Sequence, residues 1–240
     1  NKKMGKNEQE INIGNKTIGE RHPCFIIAEA GSNHNRDLDT AKKMVDVAVE
    51  AGADAIKFQT YSADTLYSKK APRLSEMDGR TGERETPYDL IKRLEMPREW
   101  HQLLLDYCKT KKIMFISTPF DYQAVEELEK LDMPIFKISG YDLSNIPFVK
   151  HIAKKNKPIM MSTGVSNLED VREAVDAIKS QGNKQIILLQ CTNQYPTAVT
   201  DMNIRVMQTL QKEFNTLVGL SSHCEINEPA LAAVAMGANV

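Results

Sequence analysis

The sequence contains no long apolar run, and this absence excludes a helix that spans a membrane. A transmembrane helix needs roughly 20 consecutive apolar residues, and no run within the 240 residues approaches that length. No signal-peptide pattern opens the chain either. We therefore expect a cytoplasmic protein with no membrane partner.

An excess of either charge is also lacking. The chain has 31 Lys and Arg residues against 32 Asp and Glu residues, for a formal net charge of −1. The cationic residues are spread along the sequence, which is typical of solvated helix faces. Proteins that bind nucleic acid usually carry a basic patch or stripe, so nucleic acid is not an expected partner.

The cysteines lack the C-x-x-C spacing of zinc sites and redox motifs. The four of them, Cys24, Cys108, Cys191 and Cys224, are scattered along the chain. We expect them to be reduced thiols, as in most cytosolic proteins.

What the sequence does contain is an alternation of short apolar runs and amphipathic segments. The runs are rich in Ile, Val and Phe, as expected for parallel strands that are buried on both faces. Seven strands are predicted, at residues 24–29, 55–58, 113–117, 135–138, 158–161, 186–190 and 217–221. Helices are predicted at residues 38–50, 100–110, 122–131, 146–155, 168–181, 202–214 and 229–236.

Seven strand–helix units in series predict a parallel sheet with right-handed crossovers. Most repeats span roughly 20 to 30 residues, which is typical of a (β/α)₈ TIM barrel, so we predict such a barrel over residues 23–240. Its eighth strand should begin near Val240, and we expect that strand to be missing or barely started. Residues 1–22 are predicted to be an extension with a β-hairpin, since apolar and polar residues alternate around Gly14-Asn15.

One interval between strands is much longer than the others. Residues 60–96 are polar and contain Pro72, Gly79, Gly82 and Pro87. In a barrel this segment would be a long loop at the C-terminal face, where substrate lids lie. A disordered surface insertion is the alternative.

Polar residues follow the predicted strands, and in a TIM barrel the carboxyl ends of the strands converge on one mouth. Two lysines ringed by hydroxyls and an amide favour a cradle for phosphate and carboxylate groups. Two carboxylates could supply a general acid and base, and a histidine could bind a divalent metal. The residues are Glu29, Lys57 with Gln59, Ser117 with Thr118, Lys137 with Asp142, Ser162-Thr163-Gly164, Asn193 with Tyr195, and Ser221 with His223.

Several of these residues have a purely structural alternative. Glu29 could simply pair with Lys57, and His223 could be a hydrogen-bonded core histidine. His34 could orient the first loop rather than react. Residues 162–164 could only cap the following helix. The expected convergence, rather than any one residue, supports the hypothesis of a site.

Seven stretches carry a family resemblance in their order and spacing, from about residue 20 onward. They are IIAEAGSNH at 26–34, AGADAIKFQ at 51–59, STPF at 117–120, KISGYDLSN at 137–145, MSTG at 161–164, QCTNQYP at 190–196 and GLSSH at 219–223. Together they resemble the N-acetylneuraminate (sialic acid) synthase family, which includes legionaminate, pseudaminate and spore-coat polysaccharide synthases.

The resemblance implies a TIM-barrel transferase of polysaccharide biosynthesis. Such an enzyme condenses phosphoenolpyruvate with an open-chain N-acetylated amino sugar, N-acetylmannosamine or a bacterial di-amino analogue. The products are a sialic-type nonulosonic acid and phosphate, released by C–O cleavage. The resemblance further implies a C-terminal antifreeze-like domain, absent from this sequence, and a domain-swapped homodimer of the full-length protein.

The resemblance also implies roles for the residues at the strand ends. Catalytic roles fall to Glu29, Asp142 and Lys137. A divalent metal, Mn²⁺ or Mg²⁺, would bind His223. Phosphoenolpyruvate would be held by Lys57, Thr118, Lys137, Ser162, Asn193 and Ser221, and the sugar by Gln59, Tyr195 and Asp142.

The sequence departs from the family pattern in two motifs. Gly140-Tyr141 stand before Asp142 where the family usually has Ser-Gly, so glycine's backbone freedom is lost at Tyr141 and the phosphate-side serine could be displaced to Ser139. Ser222 replaces the usual aspartate. These departures support one alternative, a degenerate phosphate-binding barrel without synthase activity. A second alternative is another phosphoenolpyruvate-condensing 3-deoxy-sugar-acid synthase, which shares the chemistry. Because an unclosed barrel has two free sheet edges, the 240 residues alone are expected to be poorly stable or inactive.

Overall fold

A computed structural model describes residues 9–72 and 85–240 of the chain. The chain divides into two compact units, and each is described by itself. The first unit contains the N-terminal segment up to Phe25 together with Pro134–Val240, and the second contains Ile26–Met133.

The N-terminal segment of the first unit has a two-stranded antiparallel sheet. Strands β1 (Glu10–Ile13) and β2 (Lys16–Gly19) pair with Ile13 opposite Lys16. The two residues between them form the turn, and Gly14 has a φ of +57° that favours glycine. This arrangement is consistent with the predicted hairpin.

The second unit is built on a parallel sheet of three strands in the order β3–β4–β5. These are β3 (Ile27–Gly31), β4 (Ala55–Thr60) and β5 (Met114–Pro119). The helices that follow them include α1 (Leu38–Glu50), α4 (Trp100–Lys111) and α5 (Tyr122–Lys130). Helix α1 has the predicted bounds because the Asp37 carboxylate caps it, accepting from Thr40 N–H at 2.6 Å.

The long segment between β4 and α4 contains two short helices, α2 (Ala63–Leu66) and α3 (Pro87–Leu94). The prediction of one long loop is therefore wrong for this part of the segment. Helix α3 forms because Thr86 and Asp89 make a reciprocal capping box and Pro87 occupies the first turn. Gly79 and Gly82 lie outside the described residues, so a lid there stays a prediction.

The Pro134–Val240 part of the first unit holds a parallel sheet of four strands in the order β6–β7–β8–β9. Its helix α8 begins at Val206, not at residue 202 as predicted, because a 3-10 turn (Val199–Asp201) precedes it and Asn203 has a φ of +46°. The strands are β6 (Phe136–Ile138), β7 (Ile159–Ser162), β8 (Ile186–Cys191) and β9 (Leu217–Ser221). The helices are α6 (Ile146–Ala153), α7 (Leu168–Ser180), α8 (Val206–Phe214) and α9 (Glu228–Ala235).

The last two residues of the chain run alongside β9. Asn239 N–H donates to the Val218 carbonyl at 2.7 Å, and Leu220 N–H donates to the Val240 carbonyl at 3.0 Å. A Cβ at Gly219 would overlap the Val240 carbonyl oxygen, so this close approach requires glycine. These two hydrogen bonds are the ones expected of a strand that begins beside β9. The sequence predicts the eighth strand at this position.

Both units therefore have the α/β architecture with parallel strands that the sequence predicts. Three strands are completely buried, as continuous apolar runs between helices should be; every residue of β6, β7 and β8 is buried. No helix within residues 9–72 or 85–240 is both long enough and apolar enough to cross a bilayer. Closure into a barrel stays a prediction.

Candidate functional site

One face of the second unit's sheet carries four of the predicted site residues. Glu29 is the register partner of Lys57, and Gln59 is the partner of Thr118. Because side chains alternate along a strand and register partners share a face, all four lie on the same face toward the carboxyl ends of the strands. A bulge between Glu29 and Gly31 shifts the register there.

Glu29 and Lys57 form an ion pair through Glu29 Oε2. The lysine side chain is only 12% exposed, whereas the glutamate side chain is 48% exposed. The pairing expected as a structural alternative is therefore present, but the carboxylate is not a buried charge. A half-exposed carboxylate beside a nearly buried lysine can still accept or donate a proton.

Gln59 is joined to two residues to which the sequence assigned no role. Ser32 Oγ lies 3.2 Å from Gln59 Oε1 and 2.9 Å from the Tyr61 hydroxyl. Tyr61 follows Gln59 by two residues, which is the spacing of one strand face. This spacing was the available sequence signal. Ser32 had none beyond its place in the IIAEAGSNH motif.

The other face of β4 and β5 carries a buried polar chain that reaches α4. Thr60 Oγ1 lies 2.8 Å from His101 Nε2 and 2.7 Å from Ser117 Oγ. All three residues are buried. Ser117 therefore belongs to a structural network, and of the predicted Ser117-Thr118 pair only Thr118 shares the face of Lys57.

His34 is fully buried and cannot reach a ligand directly. Its Nδ1 accepts from Arg36 N–H at 3.0 Å, and its ring meets Trp100 edge-on with centroids 5.7 Å apart. Nε2 makes no hydrogen bond to the described residues. Burial lowers the pKa of His34, so the ring is neutral at neutral pH. These contacts favour the orienting role over the reactive one.

In the first unit, Lys137 and Ser162 form a buried polar pair. Lys137 Nζ donates to Ser162 Oγ and to the Ile138 carbonyl, each at 2.7 Å. The sheet register places Ser221 on the same face as this pair. Asn167, not residues 162–164, caps helix α7 with its side chain, so the interpretation of 162–164 as a helix cap is wrong.

Two glycines give the Asn193 side chain its place beside this pair. A Cβ on Gly164 would lie 2.5 Å from Asn193 Oδ1, and a Cβ on Gly140 would lie 3.4 Å from Asn193 Nδ2. The thiol of Cys191 donates to Asn193 Oδ1 at 3.2 Å. The bare backbone at both glycines thus lets the Asn193 amide lie against the loops that follow β6 and β7.

Asp142 lies in the turn after β6, where Ser139 holds it. Ser139 Oγ–H donates to Asp142 Oδ2 at 2.6 Å and accepts from Asp142 N–H at 3.2 Å. Burial raises the pKa of Asp142, while the Ser139 hydrogen bond and the Lys137 charge act in the opposite direction. Ser139 is thus engaged by Asp142, which argues against its use as a displaced phosphate-side serine.

Tyr141 poses no backbone problem in this turn. It is not among the residues with positive φ, so the glycine of the family pattern is not needed there. Its side chain is 65% exposed. The departure at Tyr141 therefore changes the surface of the turn and leaves the position of Asp142 intact.

His223 is held by the loop after β8. Its Nδ1 lies 2.9 Å from the Thr192 carbonyl oxygen, and its ring packs on Tyr195 with centroids 4.0 Å apart. A carbonyl oxygen only accepts, so Nδ1 carries the proton and neutral His223 presents a bare Nε2, as metal-binding histidines do. Across the described ranges, however, no three His, Cys, Asp or Glu side chains form a cluster that could hold a metal ion. His223 fits a metal as a single ligand.

Comparisons with known proteins show the family of the chain. The sequence profile of the NeuB family matches residues 44–240. The chain belongs to the NeuB family. It is 43% identical to the N,N'-diacetyllegionaminic acid synthase of Legionella pneumophila, over 99% of this chain and 67% of that protein. It is 39% identical to the spore coat polysaccharide biosynthesis protein SpsE of Bacillus subtilis, over 95% of this chain and 61% of that protein.

Solved structures show the same relationship for this NeuB-family chain. The sialic acid synthetase of Leptospira borgpetersenii superposes with a TM-score of 0.85 at 34% identity, over 97% of this chain and 76% of that one. A truncated 3-deoxy-D-arabino-heptulosonate 7-phosphate synthase from Thermotoga maritima has a TM-score of 0.69 at 15% identity, which shows likeness of fold alone. The chain spans 61–67% of the length of the two relatives compared by sequence.

Proposed function

We propose that this chain is the catalytic part of an enzyme that condenses phosphoenolpyruvate with an open-chain N-acetylated amino sugar. The products are a nonulosonic acid and inorganic phosphate. The observation that carries the proposal is the buried Lys137–Ser162 pair beside Asn193 in a NeuB-family chain. The names of the Legionella and Leptospira relatives support the same class of reaction.

The residues of the first unit suit a phosphorylated, carboxylated substrate. An ammonium held by neutral oxygens, as Lys137 is by Ser162 and Ile138, attracts phosphate strongly in a buried setting. Asn193 and Ser221 add neutral donors near the same strand ends. In the second unit, Lys57 and Thr118 are proposed to bind the same substrate.

Gln59, Tyr195 and Asp142 are proposed to bind the amino sugar. Carbon C3 of the enol pyruvate attacks the aldehyde carbon C1 of the sugar, and water adds at C2. The tetrahedral species then releases phosphate by cleavage of the C–O bond. Glu29 or Asp142 would deliver the proton to the new hydroxyl, and the lysines would offset the phosphate charge.

A divalent metal, Mn²⁺ or Mg²⁺, is proposed to bind His223 through Nε2 and, when bound, would polarise the sugar aldehyde as a Lewis acid. The Thr192 carbonyl keeps Nε2 bare for this purpose. We further propose that the full-length protein is a cytoplasmic homodimer with exchanged C-terminal domains.

Phosphate release by the full-length protein tests the proposal. Phosphoenolpyruvate and Mn²⁺ are incubated with N-acetylmannosamine or with a di-N-acetylated bacterial analogue, and products are identified by mass spectrometry. With ¹⁸O in the bridging position of phosphoenolpyruvate, C–O cleavage places the label in phosphate. Removal of metal with EDTA should abolish turnover, and Mn²⁺ should restore it.

The test variant is Lys137→Met, which keeps an unbranched side chain of nearly the same length but not the charge. It should lose phosphoenolpyruvate binding measured by calorimetry. Binding of phosphoenolpyruvate by the wild type without phosphate release from any sugar would favour the degenerate barrel. Turnover with erythrose 4-phosphate or arabinose 5-phosphate instead would favour another 3-deoxy-sugar-acid synthase.

A further inference from the structure

We propose that Ser32 and Tyr61 are positioning residues that fix the orientation of the Gln59 side-chain amide, so that its NH₂ group faces the sugar and selects an acceptor oxygen there. The identity of the ligand as an N-acetylated amino sugar rests on the proposed function. The hydrogen-bond chain itself does not.

The directions of the hydrogen bonds follow from counting donors. Ser32 has one hydroxyl hydrogen and lies within hydrogen-bond distance of both Gln59 Oε1 and the Tyr61 hydroxyl. An amide oxygen only accepts, so Ser32 donates to Gln59, and Tyr61 must donate to Ser32. Tyr61 is 2% exposed, and this direction gives its buried hydroxyl hydrogen an acceptor. The hydrogen-bond chain therefore runs from Tyr61 through Ser32 to Gln59 Oε1.

Tyr61 is a rigid starting point for this series of hydrogen bonds. Its ring packs edge-on against Phe120 with centroids 6.0 Å apart. Burial raises the pKa of its hydroxyl, so the group stays protonated and able to donate at neutral pH. A buried tyrosine has little rotamer freedom, and the orientation is thus passed on to Ser32 and Gln59.

With Oε1 engaged by Ser32, Gln59 Nε2 lies on the side of Gly31 where a Cβ would project. Measured from the position that a Cβ on Gly31 would occupy, Gln59 Nε2 lies at 3.9 Å, Asn33 Nδ2 at 4.0 Å and Glu29 Oε1 at 3.4 Å. Nε2 makes no hydrogen bond to residues 9–72 or 85–240. Two amide nitrogens and one carboxylate oxygen therefore lie around the Cβ position of Gly31.

This set of groups is complementary to an acylamido substituent and its neighbouring hydroxyl. A carbonyl oxygen would accept from Gln59 Nε2 or Asn33 Nδ2, and a sugar hydroxyl would donate to Glu29 Oε1. A free amine, protonated at neutral pH, offers only donors to the two amide NH₂ groups. If the Gln59 amide rotated, its oxygen would face the ligand and this discrimination would weaken.

The test uses the full-length protein and compares Ser32→Ala with Ser32→Thr, which keeps the hydroxyl. Loss of one oriented hydrogen bond is worth roughly tenfold in affinity. Ser32→Ala should raise the KM for N-acetylmannosamine about tenfold and reduce its preference over mannosamine by a similar factor. The KM for phosphoenolpyruvate should stay within about twofold. Ser32→Thr should restore both quantities, and Tyr61→Phe should have an intermediate effect.

A double-mutant cycle separates positioning from loss of structure. If Ser32 acts through Gln59, Ser32→Ala should change nothing further in a Gln59→Ala background. An equal effect of Ser32→Ala in both backgrounds would overturn the proposal, as would an equal rise in both KM values.

A substrate-free measurement keeps this inference distinct from the proposed function. The side-chain amide protons of Gln59, assigned by their absence in Gln59→Ala, are followed by NMR hydrogen exchange. In the proposed orientation both amide protons exchange rapidly, and Ser32→Ala shifts their resonances. One strongly protected amide proton in the wild type would show that Nε2, not Oε1, bonds Ser32, and would refute the orientation. Absence of turnover with every sugar would defeat the proposed function, while this result would still decide the hydrogen-bond chain.

Discussion

Mild acid should destabilise the second unit through His101. This side chain is 3% exposed, and its Nε2 lies 2.8 Å from Thr60 Oγ1 in the buried chain that ends at Ser117. Burial, with a contribution from the charge of Arg98, lowers the pKa of His101 from 6.5 to about 4. The folded state therefore holds a neutral imidazole under conditions where the unfolded chain is already protonated.

The sign and the size of this destabilisation follow from the linkage between protonation and folding. A lowered pKa means that the unfolded state binds the proton more tightly, so the stabilisation is present above pH 6.5 and is lost as the pH falls toward 4. The lowering of the His101 pKa from 6.5 to about 4 corresponds to about 3 kcal/mol of stability over that pH range. Between pH 7 and pH 5 the expected loss in the free energy of unfolding is about 2 kcal/mol.

Urea unfolding at several pH values measures this loss. Trp100, the only tryptophan of the sequence, is adjacent to His101 in α4 and reports on this region by fluorescence. The control is His101→Gln, which keeps a side-chain amide for Thr60 but does not titrate. At each pH the free energy of unfolding of the variant is subtracted from that of the wild type. The contributions of His34 and Asp142 then cancel, because both proteins share them. Equal pH dependence of the two proteins would refute the assignment to His101.

Three further predictions concern the first unit. Ser139→Ala removes a hydrogen bond that lowers the pKa of Asp142, so the alkaline limb of the kcat/KM profile, where Asp142 would lose the proton that it delivers to the new hydroxyl, should move to higher pH. Gly164→Ala places a methyl group 2.5 Å from Asn193 Oδ1 and 3.1 Å from a backbone carbonyl, and should weaken phosphoenolpyruvate binding in calorimetry by tenfold or more, roughly the value of one lost oriented hydrogen bond. Tyr141→Gly should leave rate and sugar choice unchanged and lower the free energy of unfolding by about 0.5–1 kcal/mol, because glycine makes the unfolded chain more flexible.

The sequence was a good guide wherever local chemistry decides the structure. The strand from Leu217 to Ser221 and helix α1 have the predicted bounds, because burial periodicity and the Asp37 cap are local signals. Helix α3 was missed although Thr86, Pro87 and Asp89 carry its capping signal, since the surrounding polar composition outweighed it. The start of α8 was misplaced because nothing in the pattern marks Asn203 as left-handed.

The sequence proposes candidate residues for the site but does not give the contacts between them. Strand-end positions single out Lys57, Gln59, Lys137 and Ser162 as candidates. The contacts of Gln59 with Ser32 and Tyr61 depend on how the β3–α1 loop folds back on β4, and Ser32 is 27 residues away in sequence. No local rule sets such a return. The same holds for Ser139, whose hydrogen bond to Asp142 is visible only once the turn is built.

The bulge after Glu29 accounts for the two hydrogen bonds of Ser32, one with Gln59 and one with Tyr61. In an uninterrupted register Gly31 would pair with Gln59, but it pairs with Phe58, so the chain bends back and Ser32 reaches the residues beyond Lys57. Gly31 has a φ of +55°, and a Cβ there would meet its neighbours at 3.4 Å or more. Gly31→Ala should therefore cost about 1–2 kcal/mol of stability through backbone strain and place a methyl group against Glu29, Gln59 and Asn33. The KM for the sugar should rise more in Gly31→Ala than in Ser32→Ala, because Ser32→Ala adds no group beside Gly31. The opposite order would mean that the sugar does not bind beside Gly31.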